Sequence, residues 1–262
     1  MEVVPLDTGE DLARLAADIV ESLVRRTPAA VLGLATGSSP VPAYRELARR
    51  HAAGTAPPYD AVRCFTLDEY IGLPAGHPQT YRETIFREAT DALGIARKQV
   101  ASPDPEPSGL PQAGERYEDA IRAAGGIDLQ VVGIGTDGHL AFNEPGSSLS
   151  SSTRLKTLTE QTRRDNARFF DSLDDVPRHV LTQGLGTVLR ARHVLLVATG
   201  ESKAPAVATA IEGALSASCP ASVLQLHPRC TVLLDAAAAA GLSRVDHYRE
   251  VHAAKPPWQR YS

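Results

Sequence analysis

Four times along this chain an apolar run ends in small residues and then in a cluster of polar or charged groups. The runs cover 29–35, 61–67, 127–133 and 193–198, and the clusters fall at 36–39, 68–69, 137–144 and 199–203. Continuous apolar runs of this length suit strands buried on both faces, as in a parallel sheet covered by helices. Helical spacing of apolar residues at 7–26, 41–50, 81–93, 112–124, 176–189 and 204–215 separates them into βαβ units. The expected fold is therefore α/β: a single Rossmann-like, mostly parallel sheet with helices on both faces, one domain over 1–262. Further strands are expected at 222–226 and 231–234. The charge-rich stretch 155–170 is expected to lie over the surface, with 155–182 as a candidate lid. In parallel crossovers the strand ends share one edge, so all four clusters should face one crevice.

Composition narrows the ligand. The net charge is −4 over 262 residues, which leaves no basic footprint for nucleic acid or an anionic membrane. A small anionic substrate would need local positive groups. The N-terminus carries neither a basic nor an apolar targeting region, and no apolar run approaches the roughly 18–20 residues of a membrane span. Cys64, Cys219 and Cys230 are widely spaced, which suggests reduced thiols in a cytoplasmic protein instead of a disulfide frame or a zinc site. Lysine is scarce beside arginine: Lys98, Lys156, Lys203 and Lys255 are the only ones. Lys203, in a turn after a strand, suits a compact point charge.

Each cluster has a functional and a plain structural interpretation. Thr36, Gly37, Ser38 and Ser39, followed by Pro40, form either an anion cradle at a helix N-terminus or an ordinary cap. Asp68 and Glu69 supply either a carboxylate base of raised pKa or an acid pair capping the next turn. Asp137, His139 and Glu144 place one imidazole between two carboxylates, which suits a proton shuttle. A structural histidine and a mononuclear metal site compete with that interpretation, though no further His or Cys ligand lies nearby. Arg168 and Lys203 could complete a phosphate pocket, or Arg168 could belong to a solvated helix face. No Gly-x-Ser-x-Gly nucleophile elbow, Walker loop or full dinucleotide fingerprint is present.

The strings Thr-Gly-Ser-Ser-Pro at 36–40, Leu-Asp-Glu-Tyr at 67–70, Gly-Ile-Gly-Thr-Asp-Gly-His-Leu-Ala-Phe-Asn-Glu-Pro at 133–145, Asn-Ala-Arg-Phe-Phe at 166–170 and Leu-Gln-Leu-His-Pro at 224–228 together resemble the glucosamine-6-phosphate deaminase family. The match runs in order over nearly the whole chain. The sister 6-phosphogluconolactonases share the Asp-Gly-His portion but not the Phe-Asn-Glu-Pro that follows. The resemblance implies conversion of glucosamine 6-phosphate and water to fructose 6-phosphate and ammonia, with no redox cofactor or metal. It implies Asp68 as the base at C2, His139 as the ring-opening group, Asp137 and Glu144 as its supporting carboxylates, and Thr36, Gly37, Ser38, Ser39, Arg168 and Lys203 as phosphate holders. Some members are hexamers activated by N-acetylglucosamine 6-phosphate at a second site, and others are not. Ser147, Arg154, Lys156, Thr157 and Tyr248 resemble that site. Ser152 stands where regulated members tend to carry Arg, and 256–261 departs from their pattern; both count against the regulated form. The alternatives kept beside deamination are a 6-phosphogluconolactonase-type hydrolase and a non-catalytic sugar-phosphate-sensing domain. The latter normally carries a basic helix-turn-helix segment, which is not apparent here.

Overall fold

The computed structural model describes residues 1–256 and 259. Most of the divergent 256–261 stretch therefore lies outside the described residues. Ten strands run in chain order as β1 (Glu2–Pro5), β2 (Val31–Leu34), β3 (Arg63–Thr66), β4 (Asp68–Tyr70), β5 (Val100–Ala101), β6 (Leu129–Val132), β7 (Arg154–Thr157), β8 (His179–Thr182), β9 (Val194–Ala198) and β10 (Cys230–Leu234). The α-helices are α1 (Gly9–Arg26), α2 (Val41–Ala52), α3 (Tyr81–Ile85), α4 (Leu110–Ala123), α5 (Glu160–Asn166), α6 (Leu185–Leu189), α7 (Ala204–Glu212) and α8 (Val245–Ala253).

Seven strands make one parallel sheet in the order β1-β10-β9-β6-β2-β3-β5. Alternate side chains leave its two faces. In β9, Val194, Leu196 and Ala198 enter one core with Val188 of α6 and Val207 of α7. Leu195 and Val197 enter the other core with Leu12 of α1 and Tyr44 of α2. From β2 the chain steps outward to β3 and β5, then returns to β6 and steps the opposite way to β9 and β10. The carboxyl ends of β2 and β6 thus flank the topological switch point, where open α/β sheets leave a crevice.

A second, antiparallel sheet, β4-β8-β7, stands beyond β3. It corrects several expectations. Residues 176–189 are not one helix: β8 is followed by the five-residue α6. Buried Val180 and Leu181 followed by buried Leu185 and Val188 imitate helical spacing across a strand-to-helix junction. The 155–170 stretch, expected over the surface, holds most of β7 and all of α5, and buries Leu158, Thr162 and Arg163. Residues 222–226 belong to a 3-10 turn, Pro220–Leu226, where Pro220 cannot donate to a ladder. The edge strand β1, too short and too close to the terminus to stand out, was not expected. No helix among the described residues is long and apolar enough to cross a membrane. All three cysteines are buried and free.

Candidate active site

The expected convergence occurs. The four clusters follow β2, β3, β6 and β9, which lie side by side in the sheet. After β2, Gly37 takes φ +108° with open space where a Cβ would stand. Pro40 is the capping residue of α2 and Pro42 lies in its first turn. Ser39 is buried, and its Oγ lies 3.1 Å from Thr199 Oγ1, which joins this turn to the one after β9. In that second turn Gly200 donates its N–H to both Asp235 carboxylate oxygens at 3.1 Å. Lys203 occupies the cap of α7. Burial lowers the proton affinity of its ammonium; the charge of Asp137 opposes this and that of Arg168 adds to it. Arg168 is exposed in the 3-10 turn after α5, its guanidinium 4.7 Å from the Phe169 ring centroid. The turn after β2, Lys203 and Arg168 thus border one crevice with Asp137.

The turn after β6 carries the imidazole. His139 Nδ1 stands 2.6 Å from Asp137 Oδ1, and the His139 N–H donates to the same oxygen at 3.1 Å. The His139 side chain holds the Asp137 carboxyl below its ordinary value although burial opposes it. The ring lies directly over Gly135, where a Cβ would come within 2.2 Å of Cε1 and Nδ1. Gly138, at φ +84°, backs onto Cys219, whose Sγ would lie 2.6 Å from a Cβ. Ala141 is the one non-glycine with positive φ among the described residues, at 51°.

Glu144 departs from the expected flanking arrangement. Its Oε1 accepts from the Thr159 hydroxyl at 2.8 Å, the Thr159 N–H at 3.3 Å and the Thr162 hydroxyl. The imidazole therefore pairs with Asp137, while Glu144 fastens the turn to the start of α5. The Thr159 hydroxyl also caps that helix.

The acid pair after β3 divides its two interpretations between its members. Glu69 caps the next helix: Oε1 accepts from the N–H groups of Tyr70 (2.8 Å) and Tyr81 (2.9 Å), and Oε2 from that of Arg82 (3.0 Å). Asp68 is 6% exposed, and among the described residues its carboxylate receives no hydrogen bond. Burial, and after it the charge of Glu69, raises its pKa well above the ordinary value. That is how a fold makes a carboxylate basic. Beside it Tyr70 stacks on Tyr81 at 4.7 Å and meets Phe170 edge-on at 5.8 Å. Asn166 donates to the Tyr70 hydroxyl at 3.0 Å, so the segment after α5 closes against this aromatic wall.

The five residues resembling a second site are only partly brought together. Lys156 Nζ lies 3.4 Å from Ser147 Oγ. On β7 Arg154 and Lys156 share the less exposed face, while Thr157 bonds His179. Tyr248 is held by Glu212 at 3.2 Å. A separate cleft near the amino ends of β6 and β9 is lined by Glu118, Arg122, Thr187 and Arg190. Its buried acid Glu118 is already engaged by Thr153, Thr187 and Arg190. Sequence reasoning did not find Thr159, Thr162, Asn166 or the aromatic wall. The one available signal was a Thr-x-x-Thr cap at the start of the charge-rich stretch.

The fold is that of an α/β protein with ionisable groups gathered in the turns at the carboxyl edge of its parallel sheet. Residues 7–233 match the family described as glucosamine-6-phosphate isomerases/6-phosphogluconolactonase, and the chain belongs to it. It is 59% identical over 259 residues to a glucosamine-6-phosphate deaminase of Arthrobacter sp. (strain FB24), with 99% of each chain covered. A solved monomeric glucosamine-6-phosphate deaminase superposes with a TM-score of 0.88 at 39% identity, covering 92% of this chain and all of the other. The 6-phosphogluconolactonase of Thermotoga maritima shares the fold, with a TM-score of 0.70 at 20% identity over 89% of this chain and 98% of its own.

Proposed function

We propose that the chain is a glucosamine-6-phosphate deaminase, releasing fructose 6-phosphate and ammonia. The observation that carries this is Asp68: a buried carboxylate without a hydrogen-bonding partner among the described residues, made basic by its surroundings, in a chain whose turn after β6 holds an imidazole–carboxylate pair. Deamination needs such a base at C2, and lactone hydrolysis removes no proton from carbon. The 59% identity to a deaminase over the full length agrees.

In this proposal the 36–39 turn, Lys203 and Arg168 hold the phosphate, and that binding energy fixes C1 and C2. His139, oriented by Asp137 through Nδ1, moves the anomeric hydroxyl proton to the ring oxygen, and the ring opens to an aldehyde. The aldehyde acidifies C2. Asp68 takes the C2 proton, and the electron pair passes into an enolamine. Protonation at C1 leaves an iminium at C2, and water hydrolyses it to the ketone and ammonia. Glu144, through Thr159 and Thr162, ties the turn to the 155–182 segment, which acts as a lid latched by Asn166 on Tyr70.

Purified, metal-stripped protein incubated with glucosamine 6-phosphate should release ammonia and fructose 6-phosphate in equal amounts. Folded protein that releases neither overturns the proposal. Binding without turnover would instead favour a sensing domain. The Ser147–Lys156 contact motivates a second reading, an N-acetylglucosamine 6-phosphate site shared with Arg154, Thr157 and Tyr248 in a hexamer, against the monomer that one solved relative forms. Substrate-saturation curves with and without that ligand decide it; a hyperbola unchanged by the ligand retires the site. Three free buried thiols suit a reducing cytoplasm, the proposed location.

A further inference from the structure

The proposed chemistry needs two groups to act on adjoining parts of one sugar, yet they stand on different elements. Asp68 opens β4 of the small sheet, and His139 lies in the turn after β6 of the large one. We propose that Thr182 and Gln183, at the end of β8, are positioning residues that set the spacing of Asp68 and His139. This rests on the deaminase reading.

Both residues are fully buried. Thr182 is the register partner of Asp68 across the β4–β8 ladder. Its hydroxyl oxygen accepts the N–H of Phe142 at 3.1 Å, three residues beyond His139. Gln183 repeats the pattern. Its N–H donates to Leu67 O at 2.7 Å and its Nε2 to Thr66 O at 3.0 Å, on the Asp68 side. Its carbonyl accepts from Asn143 Nδ2 at 2.8 Å, on the His139 side. Two adjacent residues therefore grip 66–68 with one set of bonds and 142–143 with another.

The turn they grip is strained, which shows that the grip has work to do. Ala141 holds φ 51°, a conformation that persists in a residue with a Cβ only where the surroundings over-determine it. Its neighbours supply that constraint. Phe142 is fixed by Thr182, and Asn143 by both Gln183 and Leu140 O (2.9 Å). The same turn is closed at His139 by the Gly135 N–H donating to His139 O at 2.9 Å. Releasing Phe142 therefore loosens the imidazole's end of the clasp, and releasing Thr66 loosens the carboxylate's end.

The full-length chain is assayed for deamination of glucosamine 6-phosphate carrying hydrogen or deuterium at C2. Thr182→Val keeps the shape and removes the acceptor. It should lower kcat about tenfold or more with KM within about threefold, since the phosphate holders lie on other turns. The C2 isotope effect should fall, because ring opening by a displaced His139 becomes the slower step. Thr182→Ser, which keeps the hydroxyl, should recover most of kcat. Gln183→Met removes the bond to Thr66 and should raise the isotope effect, because proton removal by a displaced Asp68 becomes slower. Folded variants with wild-type kcat and isotope effect overturn the proposal. So does a lower kcat with an unchanged isotope effect, which would mean general loosening. If Thr182→Val does not fold, Gln183→Met decides alone. A wild-type protein that releases no ammonia refutes the deaminase reading instead, and the two failures are distinct.

Discussion

Gly135→Ala isolates the position of the imidazole from everything else the turn does. The new methyl would stand 2.2 Å from Cε1 and Nδ1 of His139 and 2.5 Å from Nε2. Ordinary contact begins near 3.4 Å, so the ring must withdraw by about 1.2 Å. The three nearest atoms all belong to that ring, and the backbone does not oppose the substitution. Gly135 is not among the glycines with positive φ, and its N–H to His139 O survives the change. The displaced atoms are the far end of a partly exposed side chain, so stability should hold; the smaller unfolded-state entropy alone favours Ala by about 0.4–1 kcal/mol. The 2.6 Å contact with Asp137 cannot survive that withdrawal unless Asp137 follows. A misplacement of about 1 Å costs on the order of 100-fold in rate. The expectation is a kcat lower by about 100-fold, or about 2.7 kcal/mol of barrier, with Tm within a few degrees of wild type. Gly133→Ala is the control in the same turn: it meets nothing within 4 Å and has no positive φ, so kcat should be unchanged. The assay is continuous ammonia release at saturating glucosamine 6-phosphate, with thermal melts of all three proteins. A folded Gly135→Ala with wild-type kcat would mean that His139 is not the shuttle, or that its position over Gly135 is irrelevant to catalysis.

Asp68→Asn should lower kcat by about 10²–10⁴-fold, the usual span of a positioned base, while leaving phosphosugar binding measurable by calorimetry. Its stability should also depart from wild type with a definite sign. The folded chain keeps the Asp68 proton at a pH where the unfolded chain has lost it, so wild-type stability declines as pH rises from the ordinary 3.8 through the raised value. Asn lacks that decline and should melt higher than wild type at neutral pH, an advantage that shrinks on acidification; the reverse trend refutes the burial argument. Lys203→Met removes the half-buried ammonium and should raise KM by about 10–100-fold, the worth of a charge-assisted hydrogen bond of about 1.5–3 kcal/mol, with a smaller change in kcat. Gly33→Ala, in β2, would drive a methyl to 2.2 Å from the buried Gln130 carboxamide. Differential melting should show a loss of about 1–3 kcal/mol from overpacking, with kcat retained.

What could be read in advance followed burial. Val31–Leu34, Leu129–Val132 and Val194–Ala198 are buried at every position, so they stand out as apolar runs, the second interrupted only by Gln130. The strand-end clusters were legible for the same reason, since each begins where such a run stops. The small sheet was not. β7 alternates half-buried and exposed residues, Arg154–Thr157, and looks like surface. β8 ends in Thr182, followed by Gln183, and their polar side chains interrupt an apolar stretch for a reason visible only in the bonds to 66, 142 and 143. The bonds from Glu144 to Thr159 and Thr162 were not legible, because proximity in sequence to His139 says nothing of which hydroxyls lie across space.

Those omissions fall where the chemistry is decided. The seven-strand sheet is common to this chain and to a 6-phosphogluconolactonase at 20% identity, so the sheet by itself does not choose between carbon-acid and ester chemistry. An oriented imidazole and a phosphate cradle serve either reaction. In the proposed reaction the carbon-acid step falls to Asp68, whose place is set by the pairing of β4 with β8 in the small sheet. The same pairing gives Glu69 its helix cap, which separates two adjacent acids into one that is satisfied and one that is basic. On the proposed mechanism, deamination therefore depends on the junction between the two sheets. Substitutions at Thr66, Thr182 and Gln183 should alter rate before they alter affinity, whereas those in the 36–39 turn should do the reverse.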